Sequence, residues 1–85
     1  MDYKLKSFKV TDRKTFIEFL EMLQQDLIEN PGTWENKNLS DFLEAMGRYA
    51  SDIQGFYDNT KQNINADQPS WKVFADMFHG AKIYE

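Results

Sequence analysis

His79 is the only histidine in a chain that has no cysteine, so it alone could offer zinc an imidazole, with no thiolate to help it. Its neighbours at helical spacing are Ala75, Asp76 and Ile83. One imidazole with one carboxylate falls short of a zinc set, and no metal or cofactor is expected. Acyl transfer would need a nucleophile and an orienting acid converging on the same histidine, and no serine or threonine is placed to supply one. Glu18 with Glu21, and Asp41 with Glu44, are carboxylate pairs of the kind used in glycosidic acid–base chemistry. That chemistry sets its two acids across a cleft, with an apolar pocket raising one pKa. Here each pair lies on the solvent side of one helix, where carboxylates serve solubility. Gly32, Gly47, Gly55 and Gly80 are scattered and make no phosphate loop. The expectation is a non-enzymatic protein. A hydrolase using His79 with Glu or Asp would instead need a cleft around that histidine, and a convex surface there would end it.

Three helical segments must position these residues. The first spans about residues 13–29, with Asp12 as N-cap and Asn30-Pro31-Gly32 as stop. Phe16, Phe19, Leu20, Leu23 and Leu27 form its apolar stripe, flanked by Ile17 and Ile28, while Glu18, Met22, Gln25 and Glu29 fall opposite. The second spans about 39–57, capped by Asn38. Its long apolar face runs from Leu39, Phe42 and Leu43 through Met46, Tyr49, Ala50 and Ile53 to Phe56 and Tyr57, and Asp41, Glu44, Arg48 and Asp52 lie opposite. Gly47 and Gly55 weaken it toward the end, where it should bend or fray. Residues 58–68 read as a loop, and Pro69 suits the first position of a third helix, about 69–81. The apolar arc of that helix is wide enough to require two neighbours, which places it across an antiparallel pair formed by the other two. Tyr3, Leu5, Phe8 and Val10 alternate imperfectly with lysines, so residues 1–11 read as an extended arm that could pair with Lys82–Glu85. The fold class expected is an all-α three-helix bundle in one domain, 1–85.

Composition narrows the function classes. At 85 residues the chain carries 41 % hydrophobic and 15 % aromatic residues, which compensates for shortness and argues against disorder. The absence of cysteine favours a reducing, cytoplasmic setting. The N-terminus lacks a signal-peptide apolar core, and no run is long enough to cross a membrane. The formal charge of −4 hides a gradient: +3 over residues 1–15, −7 over 16–59 and neutral over 60–85. An acidic middle disfavours nucleic acid and would draw a basic protein partner. The candidate contacts are therefore the carboxylates Glu18, Glu21, Glu29, Asp41, Glu44 and Asp52. Met22 could be an apolar centre within an acidic rim, although single exposed apolar residues are normal. Trp34 either plugs the end of the core, the commoner arrangement, or stands out as a binding anchor.

Two runs carry a resemblance: Asn30-Pro31-Gly32-Thr33-Trp34-Glu35-Asn36 leading into Leu39–Ala45, and Trp71–Phe78 followed by Ala81-Lys82-Ile83-Tyr84-Glu85. Together they resemble a family of small bacterial proteins classed as a domain of unknown function. The likeness runs from Phe16 onward and leaves out the basic arm, Met1 to Val10. It implies a stand-alone compact domain of a bacterial cytoplasm and transfers no activity. In size and charge the chain is also similar to immunity proteins that neutralise toxins. The expected function is binding of a basic protein, with immunity as its most concrete form. The alternative is a self-associating module, so the chain would be monomer or homodimer.

Overall fold

The computed structural model describes residues 2–85, with side chains described from residue 5. Helix α1 covers Asp2–Ser7, α2 Arg13–Glu29, α3 Leu39–Asn59 and α4 Trp71–Ala81, with one 3-10 turn, Pro31–Thr33, between α2 and α3. No strand occurs among the described residues. The Cα radius of gyration, 12.5 Å, is close to the ~12 Å expected of a folded chain of this length.

The helix starts follow from side-chain chemistry. Asp12, in extended conformation, accepts the Thr15 amide at 2.8 Å, and Thr15 Oγ1 accepts the Asp12 and Thr11 amides at 3.0 and 2.9 Å. This reciprocal cap satisfies donors that the first turn leaves open. Asn38 caps α3 through the Asp41 amide, also at 2.8 Å. At α4 the cap is Ser70, which accepts the Val73 amide at 3.1 Å. Pro69 therefore precedes the cap instead of opening the helix. The expected fraying of α3 does not occur: the helix runs to Asn59 and closes through Lys61 N–H to Asp58 O and Gln62 N–H to Tyr57 O. Lys61 takes the left-handed conformation (φ 59°) that usually falls to glycine in this motif.

Packing departs from the expected pairing in one respect. Helix α4 lies between α2 and α3 and touches both, whereas the backbones of α2 and α3 do not approach each other directly. The wide apolar arc of α4 thus makes it the central element. One core cluster joins Leu5, Val10, Phe19, Leu23, Trp34 and Ala75; a second joins Ile53, Tyr57 and Val73. The loop after α3 is tied down by Gln54, which donates to Ile64 O at 2.9 Å and accepts from the Ala66 amide at 2.8 Å.

The expected extended arm is corrected over Asp2–Ser7, which is helical. Lysine and leucine are good helix formers, and one and a half turns are too short to reveal a period. Met1 lies outside the described residues. Leu5 and Val10 are buried and α1 packs on α2. The C-terminal run pairs with the interhelix loop, since Lys82 O accepts the amides of Glu35 and Asn36 at 3.1 and 3.2 Å.

Gly80 gives a first test of this packing. A β-carbon there would fall within the van der Waals envelope of the Tyr49 ring, which is also packed edge-on against Tyr84 at 5.0 Å. Gly80→Ala should therefore cost about 1–3 kcal/mol of overpacking, against roughly 1 kcal/mol gained in helix propensity. Urea unfolding should show a net loss that narrows when Tyr49→Ala is added. A stabilised single variant would contradict the close approach.

Candidate interaction surface

The carboxylates singled out by sequence are distributed over α2 and α3. Glu21, Glu29, Asp41, Glu44 and Asp52 are exposed, and Glu18 is half-buried. Glu29 accepts from Gln25 Nε2 at 2.8 Å, and Asp41 from Asn38 Nδ2 at 2.9 Å. Glu44 meets Arg48 at 3.8 Å, while Asp52 accepts the Tyr84 hydroxyl. Of these contacts only Glu44–Arg48 is an ion pair, and an exposed pair of that kind contributes little to stability. The same helices also carry exposed aliphatic side chains: Ile17 and Ile28 on α2, 51 % and 64 % exposed, and Leu39 and Leu43 on α3, 72 % and 56 %.

The two proposed apolar anchors fare differently. Trp34 is buried, its ring stacked 5.9 Å from that of Phe42, so it is the plug and not an anchor. Met22 is half-buried and packs against the first core cluster. Helix α1 also packs on α2 and adds Leu5 to that cluster.

Sequence reasoning missed a buried polar knot at the same end of the bundle. Asp26 accepts the Trp34 indole N–H at 2.8 Å and Asn30 Nδ2 at 3.1 Å, and pairs with Lys82 Nζ at 2.8 Å. The Lys82 and Asp26 side chains are only 2 % and 7 % exposed. Burial pushes the Asp26 carboxyl up, but hydrogen bonds from Lys82, Trp34 and Asn30, with the ammonium charge, outweigh it and hold the group below its ordinary value. Lys82 Nζ also sits 5.7 Å from the centre of the Trp34 ring. Asn36 Nδ2 donates to Ala81 O and Tyr84 O at 2.9 and 2.8 Å. One signal was available: Asp26 lies three residues after Leu23, on the apolar stripe, where a carboxylate needs a partner.

The residues of the two resemblance-bearing runs therefore meet in space, around Asp26. A family model, DUF7660, described as a family of unknown function, matches residues 12–85. The chain belongs to that family. Neither curated proteins nor solved structures give a match. All eight candidate contact residues and the Asp26 knot fall within the DUF7660 stretch, whereas the arm precedes it.

His79 does not stand on a convex surface. It is half-buried, edge-on to Phe19 at 6.2 Å. It lines two adjoining hollows of about 500 and 540 Å³, together with Lys6, Lys72 and Asp76. Asp76 is the one carboxylate among the described linings. Its Oδ2 accepts the Tyr57 hydroxyl and Lys72 Nζ, each at 2.7 Å. A base or orienting acid would first have to give up both partners, and among the described residues no second carboxylate lines these hollows to form a pair. Among the described residues no cluster of three His, Asp or Glu could hold a metal, and no helix is long and apolar enough to cross a membrane.

Proposed function

We propose that this DUF7660 chain is a non-enzymatic protein-binding domain for a basic partner, working in a bacterial cytoplasm. Its most concrete form is an immunity protein for a basic toxin. One observation carries the reading: Glu21, Glu29, Asp41, Glu44 and Asp52 are exposed on the same two helices as the solvent-facing Ile17, Ile28, Leu39 and Leu43. Carboxylates would steer and clamp cationic side chains, and the aliphatic residues would supply the contact that excludes water. Those aliphatic residues take the anchoring role that the buried Trp34 cannot. The acidic middle of the chain disfavours nucleic acid as the partner.

Affinity capture from the native host at low and high salt tests the proposal. A basic protein should be retained at low salt and released at high salt, and Glu21→Lys with Glu44→Lys should abolish retention. Recovery of no basic partner, or recovery insensitive to salt, would sink it.

Self-association is the second reading, supported by the aromatic run on α4. Trp71 and Phe74, each 38 % exposed, are 6.2 Å apart, and Trp71 reaches Phe16 at 5.5 Å. Sedimentation at micromolar concentration decides it: a clean monomer removes this reading.

A further inference from the structure

We propose that the N-terminal arm is a resident stand-in for a partner, filling the seam beside α2 and α4 on which a basic amphipathic segment of another protein docks. The inference rests on the basic-partner reading above and names the segment that the domain takes.

The seat of the arm is the first observation. Leu5 and Val10 are 4 % and 6 % exposed and belong to one cluster with Phe19 of α2 and Ala75 of α4. Phe8 is half-buried against that cluster, while Lys6 and Lys9 face solvent. The occupant is thus apolar inward and cationic outward. Met22, half-buried against the same cluster, and Glu18, half-buried one turn earlier on α2, are two residues that sequence reasoning assigned to a contact surface. The chain's own basic segment thus packs into the same cluster as Met22, which is what a stand-in would do.

Charge is the second. Residues 1–11 carry a formal +2 and residues 12–85 a formal −6, so arm and domain attract as two proteins of opposite sign would. Lys72, the cation of the seam, is offset by Asp76 at 2.7 Å.

Incomplete filling is the third. A hollow of about 540 Å³ remains between Leu5–Thr11 and the side chains of Phe19, Ala75, Asp76 and His79. A better-fitting segment would bury more of that wall than the arm does. The arm can also leave without unwinding α2, because the Thr11 and Asp12 amides are held by Thr15. The family stretch begins at residue 12, which makes the arm an appendage to the domain on which it sits.

The test uses the full chain and a fluorescent peptide of its residues 1–11, followed by anisotropy. A tethered arm competes at an effective concentration on the order of millimolar, so the wild-type chain should bind the peptide weakly. Leu5→Ser with Val10→Ser should bind it at least ~10-fold more tightly, with circular dichroism confirming that α2–α4 persist. Salt should weaken binding, as should Lys6→Glu with Lys9→Glu placed in the peptide. A second variant, Lys6→Glu with Lys9→Glu in the full chain, alters only exposed positions and should also open the seam to the wild-type peptide. Equal binding by wild type and variants, no binding by a folded variant, or exchange of arms between two copies detected by light scattering would each overturn the proposal. Failure here leaves salt-sensitive capture of a basic protein standing, and failure of that capture leaves the peptide result standing, so the two readings fall separately.

Discussion

Lys82→Met is expected to lower the unfolding free energy by about 3–5 kcal/mol, the usual cost of removing one partner from a buried ion pair. A chain of this length holds only about 4–13 kcal/mol in total, so the variant should be largely unfolded in modest urea. The cause is the stranding of Asp26, whose side chain is 7 % exposed and cannot recover the lost ammonium from water. Trp34 and Asn30 would still donate to it, but neither carries charge. Adding Asp26→Leu should restore part of the loss, because a double apolar replacement removes the stranded charge. The recovery is incomplete, since the buried Trp34 N–H then lacks its acceptor, worth about 1–3 kcal/mol. Acid unfolding gives a second readout. Because the folded carboxyl titrates below its ordinary value, its contribution is complete above the unfolded pKa of about 3.9 and is lost as pH falls below that. The double variant should therefore lose less stability between pH 5 and pH 2 (roughly the window set by that pKa). A Lys82→Met chain with the wild-type urea midpoint at pH 7 would show that the knot does not hold the bundle end together.

How far the sequence could be read depended on how local each signal was. Helix α2 was bounded correctly because Asp12 and Asn30-Pro31 are chemical punctuation that acts within a few residues. The end of α3 was set two residues short, since Lys61 occupies a left-handed position with no glycine to announce it. Helix α4 was opened two residues early because a proline before a serine cap looks much like a proline at the first helical position. The arm failed for lack of length, since six helical residues cannot establish a period. The same contrast governs the candidate surface. Glu21, Glu29, Asp41, Glu44 and Asp52 are exposed, as helical angle alone required. Trp34 and Met22 depended on long-range packing: Trp34 meets Lys82 from the other end of the chain, and Met22 packs against the first core cluster. Lys82 was the least legible of all. A lone lysine near a C-terminus reads as solvent-facing, and only the carboxylate on the apolar stripe of α2 hinted that a cation had to be buried against it.

Tyr57→Ala should cost about 3–5 kcal/mol, as large aromatic truncations in a core do, and its two components can be separated. The ring is fully buried between Ile53 and Val73 in the second cluster, and its hydroxyl donates to Asp76 at 2.7 Å. Tyr57→Phe keeps the ring and loses only the donor to a charged acceptor, about 1.5–3 kcal/mol, less whatever Lys72 makes good at its own 2.7 Å. The alkaline limb identifies which component is at work. Burial first, then the hydrogen bond to Asp76 and its negative charge, push the Tyr57 hydroxyl well above the ordinary tyrosine value. A group raised on folding contributes fully below its unfolded pKa of about 10 and loses that contribution as pH rises beyond it. Wild type should thus weaken steadily above pH ~10, and Tyr57→Phe should flatten part of that decline. Tyr49, raised by burial, and Tyr84, raised by its bond to Asp52, keep the remainder. An unchanged alkaline limb in Tyr57→Phe would mean that the Asp76 contact is not kept in solution. Asp76 would then be held by Lys72 alone, at 2.7 Å.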